Sequence, residues 1–541
     1  GQPGSSLLLT ALRYDGMEMP PDEPLPENVI RDFEKWIETG AAMPNMSPGS
    51  PKVESVDEAT IDWESSRQFW AFQTPASHDP REISVGSSSA ESSAVGSSFD
   101  AAWQESKIDG FVQRRLAGHG LSPNPPASKR EWLRRVTFDL IGLPPTLSQL
   151  KQFEADPSPL AKERVVDRLL ASPQNAERWA RLWLDVARFA EDQAHIVGNN
   201  GSLTYPNAYL YRDWVIDAFS ADMPYDQFIR EQLAADLIHP DDPSKHVALG
   251  FIGLGPKYYR RGDLAVMADE WEDRIDTVSR GLLGLTVACA RCHDHKYDPI
   301  PTADYYALAG VFASTEMFNR PLDDSVETKG EQAKKPQDSV QIVREGNPTD
   351  LQVMIRGDAK RLGAKVSRGY LTVLGETDPG LFQQGSGRAA LAEAIVDPSG
   401  PLAARVIVNR VWRQLMGAPI VGTPSNFGSL GSQPTHPLLL DDLAVRFVQS
   451  GWSLKWLQRQ IVLSATYGQS SRVDAMKSEL DPANELRWRM PRRRLGLEAY
   501  RDAVLFASGR LEGTLGGPSI DPQDPDSTRR TVYTQVCRLE L

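Results

Sequence analysis

The feature that most constrains the fold is the spacing of apolar residues between residue 101 and about residue 318. Residues three and four positions apart share one face of an α-helix, whereas a half-buried strand requires strict alternation. The segment ERWARLWLDVARFAEDQ follows the helical rule with Trp179, Leu182, Trp183, Val186 and Phe189. PYDQFIREQLAADLI and EWEDRIDTVSRGLLGLTVACA behave alike. This part of the chain is therefore predicted to be helical, with few strands.

Length and charge exclude several classes of protein. A chain of 541 residues is too long for a single hydrophobic core, so more than one domain is expected. The net charge of −13 gives no broad basic field, which argues against a nucleic acid as partner. The longest strongly apolar run, Leu282 to Ala290, is too short for a transmembrane segment. Three cysteines cannot form a disulfide scaffold.

Composition along the chain predicts a mainly α protein. Residues 1–44 form a first, short helical part, and residues 45–100, with SVGSSSAESSAVGSSFD, form a linker. A helical domain follows over residues 101–318, and the polar residues 319–349 form a second linker. Residues 350–541 are predicted to be a second helical domain with minor β-structure near VMIRGD. The chain has no initiator Met and no closing turn, so we interpret it as an internal segment, truncated at both ends.

The motif CARCH at residues 289–293 is the most specific chemical signal. Cys289 and Cys292 are three positions apart, which places their thiols on one helical face, and His293 follows directly. Each thiol of such a pair can form a thioether with one vinyl group of a porphyrin, and the histidine then ligates the iron. The motif therefore predicts covalent haem c at the end of a helix.

Other interpretations of the cysteine pair remain open. A zinc site usually needs four ligands in two pairs, and the sequence has no second C-x-x-C. A redox dithiol is typical of a helix start near a βαβ pattern, which is not predicted here. The pair could also be two structural cysteines beside an unrelated histidine.

The surroundings of the motif resemble a known family. LLGLTVACARCHDHKYDPIPTADYYAL, WLRRVTFDLIGLPPT and GFIGLGPKYY are similar to planctomycete-type cytochrome c proteins, in their domain of unknown function fifteen forty-nine. GPLAARVIVNRVWRQLMG and NFGSLGSQPTHPLLLDDLAVRF resemble the partner domain fifteen fifty-three. Residues 5–44 resemble the end of the small cytochrome c domain that precedes both, so residues 1–44 would be its C-terminal part.

The resemblance implies an exported protein, periplasmic or at the cell surface, with haem c at Cys289 and Cys292. It also implies a second haem in the N-terminal cytochrome domain of the full-length protein. In GMEMPP, Met19 matches the position of the axial ligand of that haem, and Met17 is the neighbouring alternative.

The sixth ligand of the iron on His293 is not determined by the sequence. We take His195, in the Gly/Asn-rich stretch AEDQAHIVGNN, as the first candidate, and an open sixth position is the alternative. The weaker candidates are His119, His239, His246, His436, Tyr258 and Tyr259. We further expect a cleft between the two large domains beside the haem loop, with His436 and Asp298 facing it.

Charged clusters near the motif are interpreted as structural. An acidic group precedes it, comprising Asp269, Glu270, Glu272, Asp273 and Asp276. Like charges at helical spacing repel mildly, and a cation or Arg260 and Arg261 could relieve that repulsion. A solvated helix face is favoured over a metal site. The basic run RWRMPRRRLG is interpreted as an internal ion-pairing surface.

Three classes of function follow from these observations. The first is an electron-transfer protein that exchanges electrons with a redox partner protein of unknown identity. The second is a haem-dependent oxidoreductase that acts on an extracellular substrate, such as a carbohydrate. The third is a surface binding module in which the haem only stabilises the fold.

Overall fold

A computed structural model of the chain describes residues 3–14, 25–39, 61–83, 106–197, 200–257, 262–323, 336–375 and 382–538. The protein is about 53% helix and 7% strand, which confirms the predicted mainly α class. The chain divides into two compact units, Gly1–Ile61 and Asp62–Leu541, which are considered separately.

The first unit contains two helices, α1 (Leu7–Leu12) and α2 (Glu27–Glu38), within its described residues. They bury a small apolar cluster formed by Leu9, Leu12 and Ile30. Met17 and Met19, the predicted axial ligands, lie outside the described residues.

The second unit begins with the helices of the first predicted domain. In the described residues these are α3 (Trp63–Arg67), α4 (Lys107–Ala117), α5 (Lys129–Ile141), α6 (Leu147–Ala155), α7 (Ala161–Leu170), α8 (Pro173–Val186), α9 (Tyr209–Ser220), α10 (Tyr225–Ile238), α11 (Gly250–Gly253), α12 (Leu264–Val278) and α13 (Thr302–Ala313). Capping boxes start α5, with Ser128 and Glu131, and α6, with Thr146 and Gln149. The sequence pattern predicted a helix through Phe189, but helix α8 ends at Val186. Arg188, with a φ of +52°, cannot continue it.

The helices of the second predicted domain follow. They are α14 (Arg388–Ile395), α15 (Ala403–Met416), α16 (Pro437–Gln449), α17 (Leu454–Leu463), α18 (Ala465–Gly468), α19 (Ala475–Leu480) and α20 (Leu497–Ala507). Helix α15 ends at Gly417, whose φ of +80° lets the chain leave the helix in the left-handed conformation. No helix among the described residues is both long and apolar enough to cross a membrane.

The described strands form separate antiparallel hairpins. They are β1 (Asp192–Val197) with β2 (Asn200–Thr204), β3 (Thr315–Pro321) with β4 (Ser339–Glu345), and β5 (Gln352–Met354) with β6 (Leu362–Lys365). The predicted loop at His195 is therefore wrong, since His195 belongs to β1. The β-branched Ile196 and Val197 favour a strand there and pair with Ser202 and Asn200.

One continuous apolar core runs through the second unit. Trp183 of the first predicted domain and Trp412 of the second both belong to it. Phe72 and Ile342 are also buried in this core, although they fall in the predicted linkers 45–100 and 319–349. Those parts of the linkers are packed structure, and the remaining domain boundaries stay predictions.

Candidate functional site

The cysteine pair lies on a short turn that follows a break after α12. The helix continues as a π-turn, Ser279–Leu283, and stops at Gly284, whose φ is +62°. A Cβ at Gly284 would lie 2.9 Å from Cδ2 of Phe427, so only glycine fits. A 3₁₀ turn, Val287–Arg291, then carries the first cysteine. The pair therefore follows the helix on a separate turn, rather than ending the helix as predicted.

Residues 286–300, here called the cysteine loop, present their reactive groups outward. Cys289 and Cys292 are free thiols and exposed, and His293 is exposed beside them. Ala290, between the two cysteines, is fully buried at 0%. Residues three apart lie above one another in a 3₁₀ turn, so the two thiols share the solvent face.

Arg291 anchors the cysteine loop from the inside. Its Nη1 donates to Oδ1 of Asp269 at 2.7 Å and also to the carboxylate of Glu272. The hydroxyl of Tyr306 donates to the Arg291 carbonyl at 3.2 Å. Burial alone would lower the pKa of Arg291, but the hydrogen bonds to Glu272 and Asp269 outweigh it and hold that pKa above its ordinary value.

The acidic cluster is therefore neutralised by arginines. Arg291 pairs with Asp269 and Glu272, and the other pairs are Arg188 with Asp273, Arg274 with Glu270 and Arg280 with Asp276. Arg260 and Arg261, which we expected to pair there, lie outside the described residues.

The two histidines of the loop adopt opposite roles. Nδ1 of His293 bonds to the Asp294 carbonyl at 2.6 Å, so Nδ1 carries the proton and Nε2 keeps its lone pair. Nδ1 of His295 instead accepts from the backbone N–H of Asp298 at 2.8 Å. The Nε2–H of His295 then faces Oγ1 of Thr286 at 3.1 Å. His295 holds the loop together, and burial lowers its pKa.

Asp298 joins the loop to the second predicted domain, residues 350–541. The backbone N–H of Ser429 donates to Oδ1 of Asp298 at 2.6 Å, and the Ser429 hydroxyl donates to the Tyr297 carbonyl at 3.1 Å. A Cβ at Gly428 would lie 2.3 Å from Oδ2 of Asp298. Asp298 therefore contacts Gly428 and Ser429 of the NFGSLGSQPTHP segment directly.

The hairpin β5–β6, here called the covering hairpin (residues 352–365), reaches the second cysteine. Gly357 has a φ of +74°, and a Cβ there would lie 2.7 Å from Sγ of Cys292. The Tyr306 hydroxyl also bonds to the Met354 carbonyl at 3.4 Å. Sequence reasoning missed this contact. The available signal was the strand-like VMIRGD with its glycine, but nothing in it pointed to Cys292.

The other predicted ligands do not gather at the loop. The side chain of His195 is outside the described part, as are Tyr258 and Tyr259. The remaining histidines have partners elsewhere: His119 with the Arg115 carbonyl, His239 with Glu231, and His246 with the His239 carbonyl. Within the described ranges, no group of three or more His, Cys, Asp or Glu side chains is placed to hold a metal ion.

A cavity of about 540 Å³ lies between the two predicted domains, lined by residues such as Trp183 and Arg410. Neither His436 nor Asp298 lines it, so that part of the prediction is wrong for this cavity. His436 is only 4% exposed, because it packs inside the domain, and burial lowers its pKa to about 3.

Two protein families match the chain. PSCyt2, described as a protein of unknown function (DUF1549), matches residues 107–317. PSD1, described as a protein of unknown function (DUF1553), matches residues 387–540. Together they cover more than half of the chain, and they are the two domains of the sequence resemblance, in the same order. No curated protein and no solved structure matches. The cytochrome resemblance of residues 5–44 stays a prediction.

Proposed function

For this chain, which belongs to the proteins that join a PSCyt2 domain to a PSD1 domain, we propose a role as an exported c-type haem protein in electron transfer or oxidation–reduction. Cys289 and Cys292 would form the two thioether bonds, and Nε2 of His293 would be the axial ligand of the iron. When bound, the haem supplies one-electron oxidation and reduction.

The observation that carries the proposal is the division of the cysteine loop into two faces. Cys289, Cys292 and His293 are exposed, while the intervening Ala290 and Arg291 face inward. A purely structural cysteine pair would more often be buried, since free cysteine is among the most buried residue types. A covalently attached group instead needs both thiols and the histidine on one accessible side.

The loop also prepares His293 for a metal. The Asp294 carbonyl takes the proton on Nδ1, which fixes the ring orientation and leaves the Nε2 lone pair for the iron. No residue in the described ranges is hydrogen-bonded to that Nε2. Arg291, held by its carboxylates and by Tyr306, keeps the backbone between the cysteines fixed.

Apolar side chains near the loop suit a porphyrin. Ile355 and Leu362 of the covering hairpin are 40% and 45% exposed, and Tyr297 of the cysteine loop is 49% exposed. Exposed apolar groups beside reactive thiols are consistent with a surface that a large, flat, apolar ligand would cover. Gly357 leaves room for the Cys292 sulfur, which any side chain at that position would crowd.

Export and the second haem follow from the same chemistry. Thioether attachment of haem takes place on the outer side of the bacterial inner membrane, so the protein would be periplasmic or at the cell surface. The full-length protein would hold a second haem in its N-terminal domain, with Met19 as an axial ligand. In that protein, Met19→Ala should lower the potential of one haem only, because a thioether favours ferrous iron. An unchanged potential would exclude Met19.

The test is to produce the chain with a cytochrome c maturation system and to record the pyridine haemochrome spectrum. Tryptic peptides are then weighed, and the peptide containing CARCH should gain the mass of one haem. Cys292→Ala should remove the two-thioether spectrum. His293→Ala should remove an axial ligand of the iron and therefore change the absorption spectrum of the attached haem.

Cys537→Ala is the matched control, since Cys537 is the third cysteine of the chain and lies outside the motif. It should keep full haem content. An unmodified CARCH peptide from the folded, matured protein would refute the proposal. Reversible oxidation of that peptide to an internal disulfide would support the dithiol interpretation instead.

A further inference from the structure

Helices α8 and α15 line opposite sides of the cavity between the two matched domains. Trp179 and Trp183 line it from α8, and Arg410 and Arg413 line it from α15. Its volume of about 540 Å³ is sufficient for a small organic molecule. Cys289, Cys292 and His293 do not line it, so it is separate from the proposed haem attachment.

Arginines outnumber carboxylates around this cavity. Three of the lining arginines have carboxylate partners: Arg188 with Asp273, Arg280 with Asp276, and Arg493 with Asp139. Arg410 and Arg413 have no carboxylate partner among the described residues. Arg410 is partly buried and Arg413 is exposed, and both give the cavity positive charge that no bonded carboxylate in the described ranges offsets.

Arg410 is the more informative of the two. Its Nη2 donates to the Arg280 carbonyl at 2.9 Å and to Oγ of Ser425 at 3.3 Å. Its Nε is buried and has no acceptor among the described residues. Arg413 lies three residues further along the same helix, so two like charges share one face. Burial lowers the pKa of Arg410, and the charge of Arg413 lowers it further.

The opposite wall is aromatic. Trp179, Trp183 and Phe219 line the cavity. The indole N–H of Trp179 is also buried without an acceptor in the part of the chain that the structure describes. This N–H and the Nε–H of Arg410 are covered by protein atoms, so the aromatic wall offers the cavity its ring faces, a surface suited to a ring.

We infer that this cavity binds a small molecule that carries an oxyanion on a ring. The oxyanion, a sulfonate, sulfate, phosphate or carboxylate group, is held by Arg410 and Arg413. The ring lies against Trp179, Trp183 and Phe219. Such a ligand supplies the negative charge that neither arginine receives from a carboxylate among the described residues.

The test uses isothermal titration calorimetry on the whole chain at constant ionic strength, with three probes. Benzenesulfonate carries both features, benzyl alcohol has the ring alone, and inorganic sulfate has the charge alone. Benzenesulfonate should bind at least about 10-fold more tightly than either of the others. Arg410→Met should weaken its binding about 10- to 100-fold, because a charge-assisted hydrogen bond is lost.

Further variants separate binding from folding. Arg410→Lys keeps the charge without the planar fork and should give an intermediate affinity. Trp179→Leu removes the aromatic face and should weaken benzenesulfonate binding about 3- to 10-fold. Arg459→Met is the control, because Arg459 lies on α17 and pairs with Asp167 away from the cavity; it should leave binding unchanged.

Two results would overturn the inference. One is the absence of benzenesulfonate binding to the wild-type chain. The other is equal binding by wild type and Arg410→Met, with the folded state of the variant verified by circular dichroism. Sulfate binding as tight as that of benzenesulfonate would remove the ring from the proposed ligand.

Discussion

The side chains of Arg291 and Arg410 are both partly buried, and they differ in their hydrogen-bond partners. Arg291, in the cysteine loop, is met by the carboxylates of Asp269 and Glu272 and carries a raised pKa. Arg410, in the interdomain cavity, is met by a carbonyl and a hydroxyl and carries a lowered pKa.

The difference separates a structural cation from a binding cation. A paired arginine fixes the backbone around it and has little capacity left for a ligand. An arginine without a carboxylate lowers the stability of the free protein and regains it when an anion binds. The cysteine loop is therefore organised before any ligand arrives, whereas the cavity is completed by its ligand.

The largest effect on the free energy of unfolding is expected at His436. Protonation of His436 at acid pH would create another buried cation without a carboxylate partner among the described residues, near Arg487 and Arg115. Its pKa is lowered by burial to about 3, from an ordinary value near 6.5. The folded state therefore binds fewer protons than the unfolded state between these values, and stability is lost as the pH falls below about 6.5. Between pH 6.5 and 5, wild type should lose about 1.6 kcal/mol more than His436→Gln.

The measurement is urea unfolding at several pH values. Parallel pH curves for wild type and His436→Gln would contradict the prediction and would mean that His436 is readily protonated in the folded chain.

Arg291→Met should give the next largest effect. The change leaves Asp269 and Glu272 without their cation and removes the anchor of the cysteine loop. Since both carboxylates are partly exposed, at 47% and 37%, we expect a loss of about 1–2 kcal/mol in the free energy of unfolding. Denaturant titration measures this loss. A loss as small as that of the surface variant Arg459→Met would show that Arg291 is not an anchor.

Gly357→Ala should destabilise the protein by about 1 kcal/mol, since its φ of +74° disfavours any side chain. The added Cβ would also crowd Sγ of Cys292, so alkylation of Cys292 by iodoacetamide should slow several-fold, while alkylation of Cys289 is unchanged. Gly363→Ala, in the same covering hairpin with ordinary contacts from 3.4 Å, is the matched control. Equal slowing at both cysteines would point to general loosening instead.

The smallest effect on stability is expected for Arg410→Met, within about 0.5 kcal/mol of wild type in the absence of ligand. No carboxylate among the described residues is left unpaired by the change, and the methionine side chain can occupy the space beside Val411 and Ile407. Thermal unfolding without added anions measures this change in stability. A loss of stability comparable to that of Arg291→Met would show that Arg410, like Arg291, has a structural role.

The local parts of this arrangement could be predicted from the sequence, and the distant parts could not. Helical spacing predicted α8. Cys289, Cys292 and His293 lie close together in the sequence, so a single turn places them on a common face. The contacts of Gly357 with Cys292 and of Ser429 with Asp298 join segments that no periodic pattern relates. Arg410 was visible only as a polar position in an amphipathic helix, because its lack of a carboxylate depends on tertiary packing.

The hydrogen bonds that join the cysteine loop to residues far away in the sequence predict an order of folding. The bond from Ser429 to Asp298 spans 131 positions, whereas the bond from Arg291 to Asp269 spans 22. Contacts that close long stretches of chain form late, since the entropy of the intervening chain must first be lost. We expect the cysteine loop to become fully ordered only when the later half of the chain has folded. Pulsed hydrogen exchange during refolding should then find the backbone N–H of Ser429, which donates to Asp298, protected late.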